Sequence, residues 1–99
     1  MEHIRVENIE QFNHYFHQPT YHPQVSVARL QDADLSLFEP TDFCMYCVVL
    51  MEVDFGELVL HDTCMRYRGG TMFTMKPGDV VSMNLDSRVK PHGWMLAFR

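Results

Sequence analysis

Nowhere in this sequence does an apolar run approach the roughly 20 residues that span a bilayer. The longest, residues 43–51, stops at Glu52, so no membrane-spanning helix is expected. Cysteine is sparse: Cys44, Cys47 and Cys64 are three thiols that cannot all pair within one chain. The opening Met1-Glu2-His3-Ile4-Arg5 carries no apolar signal core. The expectation is therefore a reduced, cytoplasmic protein. Basic residues are also few. Eight Lys and Arg stand against 13 Asp and Glu, a net charge of −5. Arg29, Arg66, Arg68, Lys76, Arg88 and Lys90 form no run. Phosphate recognition needs clustered cations, so this segment is not expected to bind nucleic acid by itself. Internal repeats, low-complexity tracts and linkers are missing as well.

The signatures of several catalytic chemistries are equally absent. Ser26, Ser36, Ser82 and Ser87 lie in no Gly-x-Ser-x-Gly elbow of the kind that activates a nucleophilic serine. Gly69-Gly70 and Pro77-Gly78 are followed by no Gly-Lys-Ser/Thr, so neither is a phosphate loop. Asp32 and Asp34 fall in a turn, where Asp is favoured for its local hydrogen bonding rather than for acid–base work. Cys44-Met45-Tyr46-Cys47 has redox-motif spacing, but it falls within an expected strand, where residues three apart point to opposite faces. Buried structural thiols are the better reading of that pair.

What remains is a single small domain. Its 99 residues are 46% hydrophobic and 21% charged, as in ordinary globular chains. A domain of this length buries only about two-thirds of its unfolded surface. Eight methionines supply pliable apolar surface, suited to gap-filling in a core or to an adaptable pocket.

Residues 1–20 read as an N-terminal arm with one short helix. Asn8 is the expected cap, Gln11 follows three residues later, Ile9, Phe12 and Phe16 repeat at helical steps, and Pro19 ends the segment. Residues 21–99 read as β. Strands are expected over 24–30, 35–38, 43–53, 57–61, 65–68, 71–75, 80–85 and 93–99, with Lys76-Pro77-Gly78-Asp79 as a turn. The strand over 43–53 is apolar on both faces, so both sides should be covered. In the last strand Trp94, Leu96 and Phe98 share one face. Short strands with regular turns indicate an antiparallel sandwich or barrel. Because an apolar strand at the end of a chain is an exposed edge, the expectation is a part of a longer protein or a chain that pairs with another copy.

Several segments together resemble a known family. They are His22-Pro23-Gln24-Val25-Ser26-Val27, then Met51-Glu52-Val53-Asp54-Phe55-Gly56-Glu57-Leu58, Tyr67-Arg68-Gly69-Gly70-Thr71-Met72, Lys76-Pro77-Gly78-Asp79, and Lys90-Pro91-His92-Gly93-Trp94-Met95-Leu96-Ala97-Phe98. In order and spacing this run is similar to the N-terminal cupin-type sensor domain of AraC-family transcription regulators, Bacteroidetes-like. The resemblance covers residues 8–99 and implies a double-stranded β-helix (jelly roll). It also implies a small-molecule effector, with a sugar as one candidate, a homodimer, and DNA contact only through a separate C-terminal helix-turn-helix domain that these residues do not contain.

Many cupins are metalloenzymes, similar to one another in a His-x-His, a downstream Glu and a His after the Pro-Gly turn. Here no His-x-His occurs, and Val80, Val81 and Ser82 follow Pro77-Gly78-Asp79. His61 and His92 stand on separate elements, short of the three or four converging ligands an ion needs. No metal or other cofactor is expected. The ligand-binding candidates are side chains with an apolar body and a polar tip, namely Tyr46, Arg66, Arg68, His92 and Trp94. The expected function is sensing, dimerisation or both, without catalysis. The alternatives are a metal-dependent cupin isomerase or dioxygenase, and a ligand-free structural dimerisation module packed solid inside.

Overall fold

Asn8 caps the α-helix α1 (Ile9–Tyr15), its Oδ1 accepting the Gln11 N–H at 2.8 Å. Gln11 Oε1 reaches back to the Glu7 N–H, also at 2.8 Å, so the reciprocal bond falls one residue earlier than in the usual capping box. The helix stops at the Phe16 C-cap, where His17 turns to φ 58°, ahead of Pro19. Seven residues make no stable helix in water. This one is held by burying Ile9, Phe12 and Phe16, each contributing about 1.5–3 kcal/mol of burial. Phe12 packs against Phe16 with ring centroids 4.8 Å apart and the rings tilted by 47°, and meets Phe43 edge-on at 6.2 Å.

The computed structural model describes residues 4–33, 39–52, 56–60, 63–66, 68–85 and 92–99. Among these the strands are β1 (Ile4–Arg5), β2 (Val25–Arg29), β3 (Thr41–Asp42), β4 (Tyr46–Met51), β5 (Gly56–Leu60), β6 (Thr63–Arg66), β7 (Thr71–Met75), β8 (Val80–Leu85) and β9 (Gly93–Phe98). A 3-10 turn, Leu30–Asp32, follows β2. The strands form a five-stranded sheet in the order β1-β3-β8-β5-β6 and a four-stranded sheet in the order β2-β9-β4-β7. Apart from the short parallel β1–β3 pair, every pairing is antiparallel. The protein is thus mainly β with one short helix. No helix among the described residues is long and apolar enough to cross a membrane.

The core lies between the sheets. Ala28, Cys47, Val49, Met51, Met75, Met95 and Ala97 face inward from the four-stranded sheet, and Leu58, Val81 and Met83 from the other. Phe43, Met45 and the helix side chains close one end. Gly93 is required where β9 crosses β4: a Cβ there would run into the Leu50 carbonyl oxygen and lie 3.1 Å from Leu30 Cδ1.

The strands at 71–75 and 80–85 stand where the sequence places them, joined by the expected turn, in which the Asp79 N–H donates to the Lys76 carbonyl at 3.1 Å. The strand expected over 43–53 is shorter. It begins at Tyr46, because the backbone bends at Cys44, where φ is 52°. The buried Asp42 carboxylate holds that bend, Oδ1 accepting the Cys44 N–H at 2.8 Å and the Gly78 N–H at 3.2 Å. The expected strand at 35–38 lies outside the described residues, as do residues 53–55 before β5. The strand expected over 57–61 begins one residue earlier, at Gly56.

Candidate functional site

Among the described residues, the cavity between the sheets holds about 10 Å³, room for one water at most, against the roughly 300 Å³ or more of a small-molecule site. Its walls are apolar, Leu30, Phe43, Val49, Phe73 and Met83 among them. Methionine fills gaps here, with Met75, Met83 and Met95 all buried.

The outer side of the four-stranded sheet is different. Strand register sets three rows of neighbours across it. Val25, Phe98 and Tyr46 form the first, Val27, Leu96, Val48 and Thr74 the second, and Arg29, Trp94, Leu50 and Met72 the third. Alternation along β9 turns Gly93, Met95 and Ala97 inward and Trp94, Leu96 and Phe98 outward. The large apolar side chains are therefore exposed: Tyr46 by 51%, Val27 by 53%, Met72 by 66% and Trp94 by 44%. Tyr46 stacks on Phe98 with centroids 5.7 Å apart and rings 20° from parallel. Beside this pair an open cleft of about 410 Å³ is bounded by Val48, Thr74, Lys76 and Asp79. Lys76 Nζ lies 2.9 Å from Asp79 Oδ1 across its rim.

Of the five ligand-binding candidates, the structure brings Tyr46 and Trp94 to this one outer face, at opposite ends of it. Arg68 and His92 are exposed near the Trp94 end. The Arg68 carbonyl accepts the Thr71 N–H at 3.1 Å, and the His92 carbonyl accepts the Glu52 N–H at 2.9 Å. Arg66 stands apart, exposed on β6 of the other sheet opposite Glu57. Val27, Val48, Met72 and Phe98 were not among the candidates. For Val48 and Phe98 the signal was the apolar character of both sides of β4 and β9.

The thiols occupy three unlike environments, and none is in a disulfide. Cys47 faces inward, and burial, reinforced by the Asp42 charge, pushes its ionisation up to about 12. Cys44 sits in the bend, with the Arg5 guanidinium 3.8 Å from its sulfur. Cys64 is exposed on β6 and donates to Glu57 Oε2 at 3.2 Å, a bond that raises its ionisation. Among the described residues no three His, Cys, Asp or Glu side chains gather around a point where an ion could sit. His61 lies outside those residues.

The chain matches no family model, no curated protein and no solved structure.

Proposed function

We propose that this chain is the non-catalytic regulatory module of an AraC-type transcription regulator, a cupin-type jelly roll whose main task is dimerisation. The observation that carries this reading is the strand order. From β2 to β9 the chain builds β2-β9-β4-β7 and β3-β8-β5-β6, the interleaving expected of a double-stranded β-helix. The tight packing of the described residues between the sheets favours a dimerising role over a sugar-sized chamber there. The open cleft beside Tyr46 and Phe98 favours a second reading, in which a small effector binds from outside against the aromatic pair. Promoter contact would belong to a helix-turn-helix domain of the same regulator.

The test combines mass measurement, elemental analysis and a thermal-shift panel of monosaccharides on the purified chain. Dimerisation predicts a mass of twice 11.7 kDa, no stoichiometric transition metal, and a melting temperature unmoved by the sugars. A sugar that raises the melting temperature, with the rise lost in Tyr46→Ala, moves the function to the outer cleft. Stoichiometric iron, zinc or manganese overturns the non-catalytic reading in favour of the enzyme.

A further inference from the structure

The helix leaves the outer face of the four-stranded sheet bare. It meets β2 from the inner side. Asn13 and Gln18 hydrogen-bond the Ser26 hydroxyl, whose strand neighbours Val25 and Val27 point the opposite way. What stands on the bare face is almost wholly apolar. Among the described residues its charged side chains stand at the margins and are paired, Arg29 with Asp32 at 3.2 Å and Lys76 with Asp79 at 2.9 Å.

From this face we infer a two-fold dimer interface, in which two copies of the chain pack sheet on sheet. The inference rests on the dimerising role proposed above and says where on the molecule it resides. Three properties fit a second copy. The first is area. Aromatic side chains of about 150–250 Å² each, together with the valines, leucines and methionine, expose on the order of 800 Å², which is what each partner of a stable complex buries. Lone monomers seldom display patches of that size.

The second property is charge. A chain of net charge −5 repels its own copy wherever acidic surface meets acidic surface. This face presents no acidic row of its own and strands no unpaired ion when covered. The third is shape. The middle row of Val27, Leu96, Val48 and Thr74 carries shorter side chains than Tyr46 and Phe98 on one side and Trp94 and Met72 on the other. A symmetry-related copy can seat its tall rows beside that trough, with aligned sheets about 10 Å apart. One patch then serves both partners, as a closed two-fold contact requires.

Sedimentation equilibrium over a concentration range of about 1–100 µM tests this on the whole chain and on four variants. The wild type is expected to be a dimer. Val27→Glu and Met72→Glu put a carboxylate on the face; each should weaken the dimer by about 100-fold or more, since the charge would be buried without a partner. Val27→Thr, a near-isosteric change that spares the strand, should weaken it several-fold while circular dichroism shows the native spectrum. Met65→Glu, at an exposed methionine of the other sheet, should leave the dimer intact. A dimer that survives all the face variants overturns the interface and leaves the dimerising role standing. A wild-type monomer across the range overturns both.

Discussion

The Cys47 thiol lies on the inner side of β4, only 1% exposed, with its ionisation pushed up to about 12 by burial and then by the Asp42 charge. A thiol that holds its proton more tightly when folded stabilises the fold fully below its unfolded value near 9, and that contribution disappears as pH rises toward 12. The shift corresponds to about 4 kcal/mol lost across that window. Urea unfolding of the wild type should therefore show stability falling from pH 9 upward. In Cys47→Ala the slope between pH 9 and 11 should be clearly shallower, at the cost of a lower plateau from the small cavity left behind. Equal slopes in the two proteins would mean that other groups govern alkaline unfolding. Thiol titration at pH 8 separates the three cysteines independently. Cys64 and the half-buried Cys44 should react in the native chain, and Cys47 only after unfolding.

Helix α1 depends on a polar residue for its attachment. Asn13 is 1% exposed, and both its amide nitrogen and its amide oxygen are hydrogen-bonded. Nδ2 donates to Thr20 Oγ1 at 2.9 Å, while Oδ1 accepts from Gln18 Nε2 at 2.8 Å and from the Ser26 hydroxyl. Asn13→Ala leaves those buried partners unmatched, a loss of about 2–3 kcal/mol. Hydrogen exchange should then rise selectively in residues 9–18, with β4 and β9 protected as before; uniform loss of protection would contradict a local attachment. Much of this element was legible in the sequence, because a cap, a helical spacing and a polar tip are local features. The strands at 71–75 and 80–85 were legible for a similar reason, being bounded by Gly69-Gly70 and the Pro77-Gly78 turn. The bend at Cys44 was not, because it depends on Asp42 reaching both Cys44 and Gly78, residues far apart in the chain. Nor could alternation say which side of β9 faces inward. Size favours Trp94, Leu96 and Phe98 as the core side, yet Gly93 lies against the Leu50 carbonyl and Leu30, and alternation from it turns Met95 and Ala97 inward. The binding candidates Tyr46 and Trp94 consequently stand outside the sandwich.

A chain of 99 residues has little apolar surface to spare, and this one places a large share of it outside the sandwich, on the four-stranded sheet. Left in water, that face contributes nothing to the stability of a single copy. Covered by a second copy, it contributes through mass action, because the folded dimer dissociates into two unfolded chains and dilution favours the latter. The melting temperature should therefore depend on protein concentration. Each tenfold increase stabilises the folded state by about 1.4 kcal/mol per dimer, or about 0.7 kcal/mol per chain, which for a domain of this size raises the melting temperature by about 3–5 °C. Val27→Glu should flatten that dependence and melt, at high concentration, below the wild type. At concentrations too low for association the two should melt within about 2 °C of one another, since an exposed strand position tolerates a charge at small cost. A wild-type melting temperature that does not move over three decades of concentration would show that the sheet gains nothing from a second copy. Convergence of the two curves on dilution separates association from damage to the fold, because a carboxylate that harmed the sandwich itself would lower the melting temperature equally at every concentration.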